Sequence, residues 1–218
     1  MKKKSKIALI GTVGVPGKYG GFETLAHQLV ENLTGEVDFT VYSSTVHYSK
    51  EERVNNWKGA RIKWIPLNAN GARSIVYDII SIFHALLYAD VLLILGVSGC
   101  IILPFVRLFS KRTIIVNIDG LEWRRDKWKA YAKRFLQFSE MCALKYADDI
   151  ITDNAALQDY VMDRYGKRTQ LIEYGADHAL SCEVEQQHQF KYPFLSGDYG
   201  FKVSRIEPEN NVEMILQA

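Results

Sequence analysis

The chain has 218 residues, 48% of them hydrophobic and 24% charged, with a formal net charge of +2. That length and balance suit one large domain with a sizeable core, or one domain plus part of another, and so small a net charge makes no case for nucleic acid. Three widely spaced cysteines (Cys100, Cys142 and Cys182) with no CxxC pair argue against a disulfide framework and against a zinc site, so no metal is expected.

In chain order, Lys6–Ile10 is a short apolar run bounded by glycine and predicts a buried strand. The lysines ahead of it imitate the start of a signal peptide, but the apolar run is too short for one. Phe22, Leu25, Ala26, Leu29, Val30 and Leu33 have helical spacing. Val37–Ser43 and Arg61–Pro66 predict strands, and Ser74–Tyr88 a buried helix. Val91–Leu95 is a fully apolar strand ending in Gly96-Val97-Ser98-Gly99, followed by a helix with Pro104 near its start. Thr113–Ile118 is the next strand, ending at Asp119-Gly120, and a long helix is expected from about Asp126 to Tyr146. Asp149–Thr152 (strand), Ala155–Tyr165 (helix) and Gln170–Tyr174 (strand) complete the series.

This alternation predicts an α/β, Rossmann-like parallel sheet with helices on both faces, over residues 1–180. In such sheets ligands sit beyond the carboxyl ends of the strands, so Gly11, Gly96, Asp119, Asp153 and Gly175 are expected on one edge. Residues 181–199 are polar and punctuated by Pro193 and Gly197, which predicts a linker. Phe201–Ser204 and Glu209–Ala218 read as the first strand and helix of a second domain beginning near residue 200. One strand and one helix bury no core, so the remainder of that domain is expected elsewhere, and the chain alone is expected to be inactive. Ile75–Val97 is interrupted by Asp78, His84 and Asp90, and Gly99–Phe109 is too short to span. No transmembrane helix and a cytoplasmic location are expected.

The turn Gly11–Glu23 holds five glycines between the first strand and the first helix, which lets backbone N–H groups approach an anion at a helix start. It is neither of two familiar phosphate loops. A P-loop would need glycine where Thr12 stands, and Ser or Thr in place of Tyr19. A dinucleotide turn would need glycine at Val13 and an acid where the second strand ends in Ser43-Ser44, which disfavours an NAD-dependent oxidoreductase.

Gly14-Val15-Pro16 with Tyr19-Gly20-Gly21-Phe22-Glu23-Thr24, and Asp119-Gly120-Leu121-Glu122-Trp123-Arg124-Arg125 with Lys127-Trp128, resemble bacterial rhamnosyltransferase-like members of the family-4 glycosyltransferases of GT-B architecture. Thr152-Asp153-Asn154, Tyr174-Gly175-Ala176-Asp177 and Arg205-Ile206-Glu207-Pro208-Glu209-Asn210 are similar to its later motifs. The resemblance implies an acceptor-holding N-terminal domain facing a donor-binding one across a cleft. It also implies retaining, metal-independent transfer from a nucleotide-sugar, with dTDP-rhamnose the first choice, to a polysaccharide or lipid-linked acceptor. No cofactor beyond the nucleotide-sugar is implied. Two departures stand out: Asp119 where many relatives have histidine, and Asn210 where many have lysine.

On that basis Asp119 is the expected catalytic residue, either a ligand of sugar hydroxyls or the cap of an Asx turn. Gly20 and Gly21 are expected to approach donor phosphate or acceptor. Glu23 either joins them or complements the helix dipole. Glu122, Arg124, Arg125 and Asn154 are candidate substrate contacts, and Arg205 a donor-phosphate contact. His27 and His84 lie within helical patterns and are expected to be non-catalytic. The run 127–136 mixes cations with Trp128 and Tyr131 at helical spacing, as a helix lying on the inner face of an anionic cell membrane would, or as a core-facing stripe with a basic outer side would. A non-catalytic sugar- or nucleotide-binding module is the alternative function.

Overall fold

The computed structural model describes residues 4–118, 120–126, 128–176, 180, 183–204, 206 and 210–217. They fall into two compact units, Met1–Arg124 with Trp128–Tyr174, and Arg125–Lys127 with Gly175–Ala218.

The first unit has strands β1 (Lys6–Ile10), β2 (Asp38–Ser44), β3 (Asn56–Trp57), β4 (Ala60–Ile65), β5 (Val91–Leu95), β6 (Thr113–Ile118), β7 (Asp149–Thr152) and β8 (Gln170–Leu171). Its helices are α1 (Gly21–Leu33), α2 (Arg73–Leu86), α3 (Leu103–Phe109), α4 (Ala130–Tyr146) and α5 (Ala155–Tyr165). The strands form one sheet in the order β3-β4-β2-β1-β5-β6-β7-β8. Every pairing is parallel except the β3–β4 hairpin.

Side-chain alternation along the strands divides the core in two. Leu9, Phe39, Val41 and Leu95 are buried with Ala26 and Val30 of α1. Ala8, Ile10, Leu92, Ile94, Ile114, Val116 and Ile150 are buried with residues of α2, α3, α4 and α5, among them Tyr77, Leu103, Ala143 and Val161. One helix therefore covers one face and four cover the other. Right-handed crossovers require this, because the chain steps from β1 toward β2 through α1 and then returns past β1 to β5. The strand order reverses between β1 and β5, whose following helices leave to opposite faces, which is where α/β sheets characteristically bind ligands.

The sheet and both helical layers match the α/β expectation, and three local readings change. α4 starts at Ala130, not near Asp126, because Glu122–Arg124 forms a 3-10 turn and the indoles of Trp123 and Trp128 are tied to Glu140 and Glu122. β8 stops at Leu171 on the sheet's edge, although Ile172 N still donates to Thr152 O at 2.9 Å. The hairpin strand β3, two residues long, escaped the sequence pattern.

In the second unit the described elements are α6 (Gln186–Lys191), a 3-10 turn at Pro193–Ser196, and α7 (Val212–Gln217). Residues 201–204 are not a strand, and a strand with no neighbour has nothing to satisfy its backbone.

Candidate functional site

Because the strands are parallel, the turns after β1, β5, β6 and β7 share one edge of the first unit. The turn after β1 is fastened to α1. Gly11 has φ 90°, and a Cβ there would fall 2.0 Å from the carbonyl oxygen of Leu95, so only glycine lets the chain pass the end of β5. Val13 N donates to Glu23 Oε1 at 2.8 Å, and Thr12 Oγ1 donates to the same oxygen at 3.3 Å. Gly17 N donates to His27 Nδ1 at 3.3 Å, and Tyr77 of α2 donates its hydroxyl to Thr12 O at 3.1 Å. Gly20, at φ 122°, precedes α1, and a Cβ there would come within 2.0 Å of Glu23 Oε2.

These contacts assign roles. Glu23 is buried under the turn and holds it in shape. Gly20 is required by that carboxylate and by its own backbone. A side chain at Gly21 would meet open space, so the turn can be approached there. His27 braces the turn, and His84 Nδ1 is hydrogen-bonded to Tyr42 Oη at 2.7 Å, so both histidines serve packing.

On the β5 side of the reversal, Asp78 of α2 lies beneath the Gly96–Gly99 turn. It is 2% exposed, accepts a 3.0 Å hydrogen bond from Ser98 Oγ at Oδ2, and has no partner at Oδ1. Burial pushes its carboxyl up to about 7, opposed only by the Ser98 hydroxyl. Ser43 Oγ and Asn117 Oδ1, near the carboxyl ends of β2 and β6, are likewise buried without a hydrogen bond. Buried polar atoms without partners are uncommon in folded proteins.

Beyond β6 and β7 a pocket of about 780 Å³ opens between the 3-10 turn and α5. Arg124 and Asn154 line it together with Gly120, Tyr160 and Arg164. Asn154 caps α5, its Oδ1 accepting from Leu157 N at 2.8 Å while its Nδ2 donates to Asp153 Oδ1 at 2.7 Å. Glu122 accepts from Trp128 Nε1 at 3.2 Å. The pocket therefore gathers Arg124 and Asn154 from the expected set. Arg125 belongs to the second unit, and Asp119 and Arg205 lie outside the described residues.

In the 127–136 run, Lys127 lies outside the described residues, and the half-buried Trp128 donates its indole N–H to Glu122. Tyr131 is exposed, and Phe138 and Met141 continue its line along α4. No helix among the described residues is long and apolar enough to cross a membrane.

Three residues absent from the expected set stand out. Asp78 appeared in the sequence only as an interruption of an apolar stretch. Glu140, buried in α4, accepts from Trp123 Nε1 (3.1 Å), Tyr160 Oη (2.8 Å) and Tyr165 Oη (2.7 Å). For both acids the available signal was a carboxylate on the apolar face of a helix. Arg164, among other charged residues of α5, gave no signal.

The fold and its glycine-lined edge define a Rossmann-like α/β unit. The chain belongs to the family described as a domain of unknown function, DUF1972, which matches residues 4–177. It has no match among the curated proteins. Among solved structures it is similar to sucrose-phosphate synthase from Thermosynechococcus elongatus, with TM-score 0.59 and 16% identity over 79% of this chain and 49% of that one. The chain thus spans about half the length of that relative. A second, twinned structure of sucrose-phosphate synthase from the same organism matches with TM-score 0.50 and 12% identity, over 88% of this chain and 100% of that one. At identities this low, the structural likeness establishes a shared fold alone.

Proposed function

We propose that this chain is the acceptor-side half of a retaining GT-B glycosyltransferase of family 4. It serves transfer of a sugar, rhamnose first, from a nucleotide-activated donor such as dTDP-rhamnose to a polysaccharide or lipid-linked acceptor. The observation that carries this reading is the single edge that holds a braced glycine turn, the strand-order reversal and an arginine-bearing pocket. Similarity in fold to part of sucrose-phosphate synthase, an enzyme named for making a sugar phosphate, supports it. On this reading the exposed approach at Gly21 admits substrate, and Asp119, directly after β6, meets the reacting sugar. Arg205 meets the donor phosphate. No metal is invoked.

Contact with an anionic membrane belongs to the same reading. Tyr131, Phe138 and Met141 of α4 are exposed alongside Arg134 and Lys145. On the same face of the sheet, Phe83 of α2, Leu87 just after it, and Phe105, Leu108 and Phe109 of α3 are exposed too. The Phe83 and Phe105 rings lie 6.3 Å apart, which joins the patches of α2 and α3. Apolar side chains interspersed with cations suit a peripheral helix layer on acidic lipid.

The test is a transfer assay of the gene's whole product against a panel of nucleotide-sugars, with acceptor glycans, following nucleotide release and the anomeric configuration of the product by NMR. Acceptor-dependent release with retention is expected, fastest with dTDP-rhamnose. Sugar or nucleotide binding without release from any donor would replace the enzyme with a non-catalytic binding module.

A further inference from the structure

We propose that Arg124 and Arg164 together form an anion clamp that takes the phosphate of a phosphorylated sugar into the pocket beyond β6 and β7. The choice of a sugar ligand rests on the transferase reading; the binding of phosphate does not.

The clamp is built from the inside outward. Glu140 lies at its base, 1% exposed, with three neutral donors on its carboxylate. Those donors belong to Trp123, Tyr160 and Tyr165, so one buried acid fixes three aromatic rings drawn from the 3-10 turn and from α5. Burial and the Glu140 carboxylate hold the Tyr165 hydroxyl well above the usual phenol range, so it remains a proton donor to Glu140.

The guanidinium groups rest on these rings. Arg124 lies 5.2 Å from the Trp123 ring centre and 5.8 Å from that of Tyr160. Arg164 lies 5.2 Å from Trp123, 5.7 Å from Tyr160 and 5.6 Å from Tyr165. A guanidinium lying against a ring keeps its N–H donors directed outward, ready for the two oxygens of a phosphate. No carboxylate among the described residues forms an ion pair with either arginine. Both side chains line the pocket.

Asp159 and Asp163 also line it. Unpaired with the arginines, their carboxylates repel a bare anion and accept hydrogen bonds from hydroxyls. Guanidinium donors beside carboxylate acceptors favour a ligand carrying phosphate and hydroxyls together over inorganic phosphate. A soluble sugar phosphate and a lipid-linked sugar diphosphate share that chemistry.

The test is titration of the whole chain with a hexose 1-phosphate, inorganic phosphate, sulfate and a polyprenyl-diphosphate sugar in detergent micelles. Calorimetry gives the affinity, and a change in tryptophan fluorescence that Trp123→Phe removes reports the site. The hexose 1-phosphate is expected to bind more tightly than phosphate or sulfate. Arg164→Gln and Arg124→Gln are each expected to weaken it about tenfold, as for loss of one charge-assisted contact. Lys111→Gln, at the opposite edge of the sheet, should leave it unchanged, and urea midpoints will show that the variants remain folded. Tighter binding of the micellar ligand, also lost in the arginine variants, would assign the lipid-linked source; equal binding would assign the soluble one. No saturable binding, sulfate binding as tight as the sugar phosphate, or affinity indifferent to both arginine substitutions would overturn the clamp. Transfer by the whole product with no phosphate binding here would sink the clamp alone. Binding here with no transfer from any donor would sink the transferase reading alone.

Discussion

Asp78→Asn is expected to make the protein more stable at alkaline pH while changing little in mild acid. The Asp78 carboxyl is fully buried, its Oδ1 has no partner, and Ser98 supplies its one hydrogen bond. Burial lifts it from 3.8 to about 7. At about 1.4 kcal/mol per pH unit, that rise is equivalent to about 4 kcal/mol. The sign follows from proton linkage. Between those two pH values the folded state holds a proton that the unfolded chain has released, so stability falls as pH rises. The penalty is absent below the lower value and complete above the upper one. Asparagine cannot ionise and keeps an oxygen for Ser98, but places an amide N–H pair where Oδ1 had no partner, at a cost of about 1–3 kcal/mol. The net gain at pH 8 is therefore about 1–3 kcal/mol, shrinking to nothing or reversing at pH 5. Urea unfolding followed by tryptophan fluorescence at both pH values measures it. A difference between variant and parent that is the same at pH 5 and pH 8 would refute the claim that the Asp78 carboxylate is buried at a cost.

Gly20→Ala should destabilise the chain by about 1–3 kcal/mol, because it combines a strained backbone with a Cβ forced against Glu23; the urea midpoint reports it. Asn154→Ala should cost about 1 kcal/mol by removing the side-chain cap of α5, and should also weaken any ligand seated in the adjoining pocket, which separates it from a cap remote from the site. Flotation with acidic-lipid vesicles should carry the protein at low salt, and Phe105→Ser with Leu108→Ser should abolish it. Binding that is equal on neutral vesicles, or unchanged by the pair of substitutions, would exclude the outer layer of α2, α3 and α4 as a membrane face.

Seven strands and five helices of the first unit were legible because their signals are local. Val91–Leu95 and Thr113–Ile118 are apolar runs closed by polar or glycine turns, and α1 shows its buried stripe in its spacing. The start of α4 was not legible, since what stops the helix at Ala130 is a pair of tryptophan hydrogen bonds, one of them to a residue of α4 itself. The glycine turn was visible as a turn, but its bracing was not. Glu23 looked like a dipole partner or a substrate contact, and only the fold brings its carboxylate under Val13. Arg164 shows the limit most clearly. Its place follows from α5 packing beside a turn some 40 residues earlier, and no spacing in the chain encodes that.

The two parts of the edge differ in how they are held. At β1 and β5 the backbone is fixed by internal hydrogen bonds from Thr12, Val13, Gly17 and Tyr77, so the turn is held in one shape. At β6 and β7 the fixed parts are the aromatic rings over Glu140, and the charges ride on them at the rim. The pocket and the strand-order reversal are separated by about two strand spacings, roughly 10 Å along the sheet. On the proposed clamp, a sugar whose phosphate met Arg124 and Arg164 would extend along the edge toward Gly21. In that geometry the charged end supplies affinity and the rigid turn supplies orientation. Loss of an arginine should then act mainly on binding, and disturbance of the glycine turn mainly on what happens to a ligand once bound.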